Sequence, residues 1–109
     1  MTSMNLFIDD GYTATKTIEA VPGLHPAASI VYRPALHSRK RLWQHAAGSS
    51  AEAQAKADVE VIAEHVVSIN GQPLPKEKVG KLWPALTAKI LDLVLGYAGS
   101  DEEAADAKN

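Results

Sequence analysis

Few residues in this chain could do chemistry, and their spacing rarely lets them converge. Four histidines stand at positions 25, 37, 45 and 65. His37 and His45 can share one helix, but eight residues is two turns, roughly 12 Å of rise, too far to hold one ion together. No His-Glu-x-x-His pair occurs. With no cysteine in the chain there is neither a thiolate ligand nor a disulfide. Asp9 and Asp10 could hold Mg²⁺ or share a proton, yet Asp-Asp-Gly is also an ordinary turn sequence, and that reading is preferred. Ser29, Ser38, Ser49, Ser50, Ser68 and Ser100 have no nucleophile elbow or base spacing around them. No glycine-rich phosphate loop is present. These residues predict no catalytic centre, no metal and no other cofactor.

What remains is recognition chemistry. Arg39-Lys40-Arg41, with Arg33 and His37 nearby, could form a basic patch for an acidic protein surface or for phosphate. The bland reading is a solvated helix face. Overall the chain carries 11 basic and 13 acidic residues, a formal net charge of -2. That balance argues against a nucleic-acid binder, which usually shows a clear positive excess. Trp43 and Trp83 can each anchor a core or sit at an interface, where tryptophan is enriched among hot spots. Core is favoured for Trp43, while Trp83 is balanced between the two. The wide apolar face of Leu86, Ile90, Leu91, Val94 and Leu95 must meet the core, a second copy of the chain or a client.

The elements that position these residues read as α+β: a short N-terminal antiparallel β-hairpin or small sheet, then three to four packed helices. At 109 residues the chain suits one domain. Residues 1–11 read as a flexible or short-strand lead-in, residues 12–97 as the domain and residues 98–109 as a disordered acidic tail. Tyr12 to Val21 is rich in Thr and β-branched residues, with Lys16, Ile18 and Ala20 on one face. Ala28 to Arg33 predicts the second strand, with Ile30 and Tyr32 sharing a face. Pro34 then opens a helix carrying Leu36, Leu42, Trp43 and Ala46-Ala47. Ser49, three residues before Glu52, has capping-box spacing for a helix over Ala51 to Val67. Ala55, Val59, Ile62 and Val66 draw its apolar stripe. The Val66-Val67 run before the Asn70-Gly71 turn fits a strand fragment or a frayed helix end. Pro75 could open a short turn carrying Val79. Pro84 fits the first turn of a last helix that stops at Gly96. The predicted core is built on Leu6, Phe7, Tyr12, Tyr32, Trp43, Trp83, Leu86 and Tyr97. No stretch reaches the length of a membrane span, no secretory leader is recognisable, and the expected location is cytoplasmic.

The order of these features resembles the tail assembly chaperones of long-tailed bacteriophages and prophages. The likeness covers about residues 12–97. It lies in the opening β segment, in Ile30-Val-Tyr-Arg-Pro34 leading into the basic helix, and in a long helix ending Val66-Val67-Ser-Ile. It continues in Asn70-Gly71-Gln-Pro and in the Leu82-Trp-Pro-Ala-Leu86 junction before Ile90-Leu-Asp-Leu-Val-Leu-Gly96. The chain departs from the family at Val67-Ser68-Ile69, where members often carry Trp. The resemblance implies a non-enzymatic protein-binding role in virion assembly, in the host cytoplasm if phage-encoded. The partners it implies are the tape measure protein, kept soluble, and tail tube subunits, which the protein helps to recruit. Homo-oligomerisation is compatible with it. By this reading Trp83, Leu86, Ile90, Leu91 and Val94 supply an apolar groove for a client helix. Arg39, Lys40 and Arg41 steer an acidic client region. A head–tail connector or tail completion protein is the structural alternative, and a small nucleic-acid-binding regulator the other.

Overall fold

The structure, a computed structural model, describes residues 6–8 and 10–97. Its elements run β1 (Ala14–Ile18), β2 (Ala28–Tyr32), α1 (His37–Ala47), α2 (Ala51–His65), β3 (Val66–Ile69), α3 (Lys76–Val79) and α4 (Pro84–Leu95). The three strands form one antiparallel sheet in the order β1-β2-β3. The expected α+β architecture of a small antiparallel sheet with packed helices is the one observed. The predicted acidic tail lies outside the described residues. No helix among the described residues is long and apolar enough to cross a membrane.

Turn chemistry sets the sheet. After β1, Val21-Pro22-Gly23-Leu24 closes with the Leu24 N–H donating to the Val21 carbonyl at 2.9 Å, and Gly23 takes φ 80°. Proline followed by a left-handed glycine is a type II turn. Val21 and His25 then exchange two backbone hydrogen bonds, so the regular strand ends at Ile18 rather than at Val21. Asn70 and Gly71 both take positive φ, 52° and 80°, and the Ile69 N–H donates to the Gln72 carbonyl at 2.8 Å. Successive left-handed residues belong to the turn that best matches strand twist. Strand β3 therefore resolves the Val66-Val67 ambiguity: helix α2 passes directly into extended backbone at Val66, φ -79° and ψ 121°.

One face of the sheet packs into the core, and among the described residues the other is less covered. Ile18, Ala28 and Ile30 enter the core, whereas Thr15 and Thr17 are exposed, as alternation requires. The helices complete the core through Val61 and Ile62 of α2, Val79 of α3, and Leu86, Ile90, Leu93, Val94 and Leu95 of α4. Pro84 occupies the first turn of α4, and Gly96 at φ 86° closes it, as its sequence predicts.

The core is aliphatic, and this corrects the predicted one. Of the eight large residues expected inside, only Leu86 is buried. Tyr32 and Trp43 pack partly against the core, and Leu6, Phe7, Tyr12, Trp83 and Tyr97 are exposed. Helix α2 buries Ala57, Val61 and Ile62, while Ala55 faces solvent. Of the predicted stripe, Ile62 and Val66 are buried and Val59 packs partly against the core. Only Ala55 falls outside it, because alanine carries little burial energy and the bulky Val61-Ile62 pair decides the face. Ser50, not Ser49, caps α2, its Oγ accepting from the Ala53 N–H at 3.0 Å. Gly48 and Ser49 make the turn from α1. Pro34 does not open α1 either. The Ala35 N–H donates to the Val94 carbonyl at 2.8 Å, which ties this linker to α4 and delays the helix to His37.

Ile30 and Ile90 are wholly buried at the centre of this core. Truncation of either to Ala is expected to cost about 2–5 kcal/mol. Urea unfolding followed by circular dichroism measures it, and a loss under about 1 kcal/mol would contradict the packing described.

Candidate protein-binding surfaces

The predicted site residues divide between interior and surface. Leu86, Ile90 and Val94 lie in the core and Leu91 is half-buried against it. They hold α4 to α2 and the sheet, so they do not form an open client groove, and that part of the expectation is corrected. Trp83 is the member left in water, with 56 % of its surface exposed. Its backbone starts α4: the Trp83 carbonyl accepts from the Thr87 N–H at 2.9 Å and the Thr87 hydroxyl at 3.1 Å. An indole standing out from a fixed helix start is a rigid, exposed apolar group.

The basic run also divides, because consecutive helical residues point about 100° apart. Arg39 reaches α2, where Nε and Nη2 meet the two Glu64 carboxylate oxygens at 2.7 and 3.1 Å. Lys40 places Nζ 4.0 Å from the centroid of the Tyr97 ring, a cation–π contact just beyond the end of α4. Arg41 donates to the Gln44 side-chain carbonyl at 3.0 Å. Gln44 in turn donates to the Tyr97 hydroxyl at 3.2 Å. Arg39 and Lys40 thus fasten α1 to its neighbours, and the three residues do not form one convergent patch. Trp43 adds to the fastening, its indole N–H donating to Asp58 at 2.7 Å.

A cleft of about 280 Å³ opens where the lead-in meets the start of α1. It is lined by Ile8, Tyr12, Arg33, Leu36 and His65 and by the Arg39–Glu64 pair, among others. Ile8, Tyr12 and Leu36 are all exposed apolar residues. They gather here because the chain leaves β2 at Pro34 and is pinned through Ala35, which holds Leu36 outside both the helix and the core. The sequence pattern marks no cleft here and assigns Leu36 to the helix that follows Pro34.

The histidines go separate ways. His37 and His45 are exposed, and His65 Nδ1 sits 2.7 Å from the Val61 carbonyl of its own helix. His25 is buried. Its Nδ1 lies 2.8 Å from the Pro26 carbonyl and its Nε2 2.8 Å from Lys89 Nζ. The carbonyl needs a donor and the ammonium an acceptor, so the proton belongs on Nδ1. Among the described residues no three His, Asp or Glu side chains gather as a metal site would require. No family model, curated protein or solved structure matches the chain.

The two hydrogen bonds from Arg39, above all, hold the Glu64 carboxyl below its ordinary range, against a smaller opposing effect of burial, and they raise Arg39. A carboxylate with a depressed folded-state pKa stabilises fully above its unfolded value of about 4.3. That contribution fades as pH falls through the lower folded value. Glu64 is half exposed, so solvent limits the pair to about 0.2–1 kcal/mol. Glu64→Gln is expected to lose this much at pH 7. The gap from the parent protein should close below about pH 4 in urea titrations repeated across pH.

Proposed function

We propose that this chain is a non-enzymatic protein-binding factor of the phage tail assembly chaperone kind. In this reading it holds tape measure protein soluble in the host cytoplasm and helps recruit tail tube subunits. The observation that carries it is the set of large apolar side chains standing in water at fixed positions. Trp83 projects from the start of α4, and Ile8, Tyr12 and Leu36 surround one cleft beside Arg33. Exposed apolar groups rimmed by charge favour docking of another chain. An amphipathic client helix would set its apolar residues against them. In this reading the client lies on the surface that the core leaves over, and Leu86, Ile90 and Val94 have no binding role.

Co-expression with the tape measure protein of the same genome tests the reading, with the soluble co-purifying fraction as readout. The parent chain is expected to rescue the client. Trp83→Ala and Leu36→Asp are expected to weaken capture roughly 30-fold, the loss of one interface hot spot, while circular dichroism shows both still folded. No rescue by the well-folded parent chain would sink the chaperone assignment. Retention in finished particles would favour the connector alternative instead.

A further inference from the structure

Among the described residues His25 is the single buried polar side chain, 5 % exposed. It stands at the foot of the turn that follows β1. There the Val21 N–H donates to the His25 carbonyl at 3.0 Å, and the His25 N–H returns to the Val21 carbonyl at 3.1 Å. The ring and the closing bonds of the turn thus belong to one residue. Both ring nitrogens are engaged. With the proton on Nδ1, facing the Pro26 carbonyl at 2.8 Å, Nε2 is the acceptor for Lys89 Nζ of α4, also at 2.8 Å. The contact between Nε2 and Nζ has room for one hydrogen. A second proton on the ring would set a donor against an ammonium and bring two positive charges together, and burial would add to the cost.

The other charged groups about this turn stand along a groove of about 410 Å³ between residues 16–21 and α4. They are Lys16 and Glu19 from the first segment, with Asp92 beside Lys89 on α4. Two acidic and two basic groups cancel, so they supply no net negative charge to hold an imidazolium in place. Within the turn Pro22, Gly23, Leu24 and Pro26 carry no charge.

We propose that His25 is a pH-sensitive latch, which fastens the turn at residues 21–25 to α4 through Lys89 and releases it on taking a second proton. The released ring reaches water, where its charge is solvated, so the released state holds one more proton than the latched state. Acid therefore favours release and alkali favours the latch. The sheet need not open with it, because the β1–β2 pairing runs only from Ala14–Tyr32 to Ile18–Ala28. Lys89 is exposed, so its side chain can turn into solvent without disturbing α4. Release would widen the groove that residues 16–21 wall, where Ile18, Val21 and Leu93 supply apolar lining. The latch uses none of the side chains assigned to client binding, so it stands apart from that reading.

Amide hydrogen exchange on the full chain tests it, at about pH 8 and about pH 5 and corrected for intrinsic exchange. The Val21 and His25 amides are expected to lose protection at least about ten-fold at the lower pH. The Ala35 amide, bonded to the Val94 carbonyl, and the Asn70 amide, bonded to the Ser29 carbonyl, should stay protected and so report an intact core and sheet. His25→Gln, which cannot take up the proton, is expected to abolish the pH difference. Lys89→Met removes the donor at an exposed position, and is expected to bring protection at the higher pH down toward the acid value. Equal protection of Val21 and His25 at both pH values in the parent chain would overturn the proposal. Losses of the same size at Ala35 and Asn70 would overturn it too, because the whole domain would then be opening. So would an undiminished pH difference in His25→Gln or, should that variant not fold, in Lys89→Met.

Discussion

Helix α4 carries only Lys89 and Asp92 as charges along Pro84–Leu95, and covering its other sides organises the molecule. A helix apolar around so much of its circumference is stable only when surrounded. Strand β2 offers Ile30 from one direction, and α2 offers Val61 and Ile62 from another. The Ala35 N–H bonded to the Val94 carbonyl ties the β2–α1 linker to the same helix. Since β2 leads to α1 and α2 returns to β3, the α1–α2 hairpin is carried across as one unit and closes over α4. Aliphatic residues fill the small volume between these layers. The larger aromatic groups are left at the margins, and that displacement creates the apolar surface.

The connections carry as much of the fold as the core does. At Gly23, Gly71 and Gly96 the backbone takes φ near 80°, and each marks a change of direction: strand reversal, exit from β3, and the end of α4. A side chain at such a position would strain the backbone. Helix α1 has no buried residue of its own. Its attachment rests on the partial packing of Trp43 against the core and on Arg39 to Glu64, Trp43 to Asp58 and Lys40 over Tyr97. Polar fastening of this kind is weak for each contact but specific in geometry, and it fixes where Leu36 stands at the mouth of the cleft.

Where the sequence contrast was strong, the fold could be read. Pro84 and Gly96 bracketed α4, Asn70-Gly71 marked the reversal after β3, and Thr-rich alternation marked β1. Where contrast was weak, it could not. Helix α2 has alanine at 51, 53, 55, 57 and 63, and several rotations of the helix give similar patterns. Only the bulk at Val61 and Ile62 distinguishes them. The cap moved from Ser49 to Ser50 for a related reason, since either serine can accept from an amide three residues on. His25 shows a different limit. It is buried beside Lys89, 64 residues away, and no local pattern encodes that partner. The candidate surface was legible only in part. The apolar periodicity of Leu86, Ile90 and Val94 looks the same whether the helix meets its own core or a client, so only the three-dimensional arrangement could separate those residues from Trp83.

This separation bears on how a client would be held. Had Arg39, Lys40 and Arg41 formed one patch, attraction over distance could have dominated encounter. Arg39 is instead paired with Glu64, and Lys40 lies over an aromatic ring. With a formal net charge of -2, long-range attraction for an acidic segment is weak, and at physiological salt it is screened within about 8 Å. Under the proposed function, affinity would then come from contact, through Trp83 and through Leu36, Tyr12 and Ile8 around the cleft. Contact of that kind suits an apolar helical client better than a polyanion. It also lets binding change without loss of the fold, because none of these four side chains belongs to the buried core.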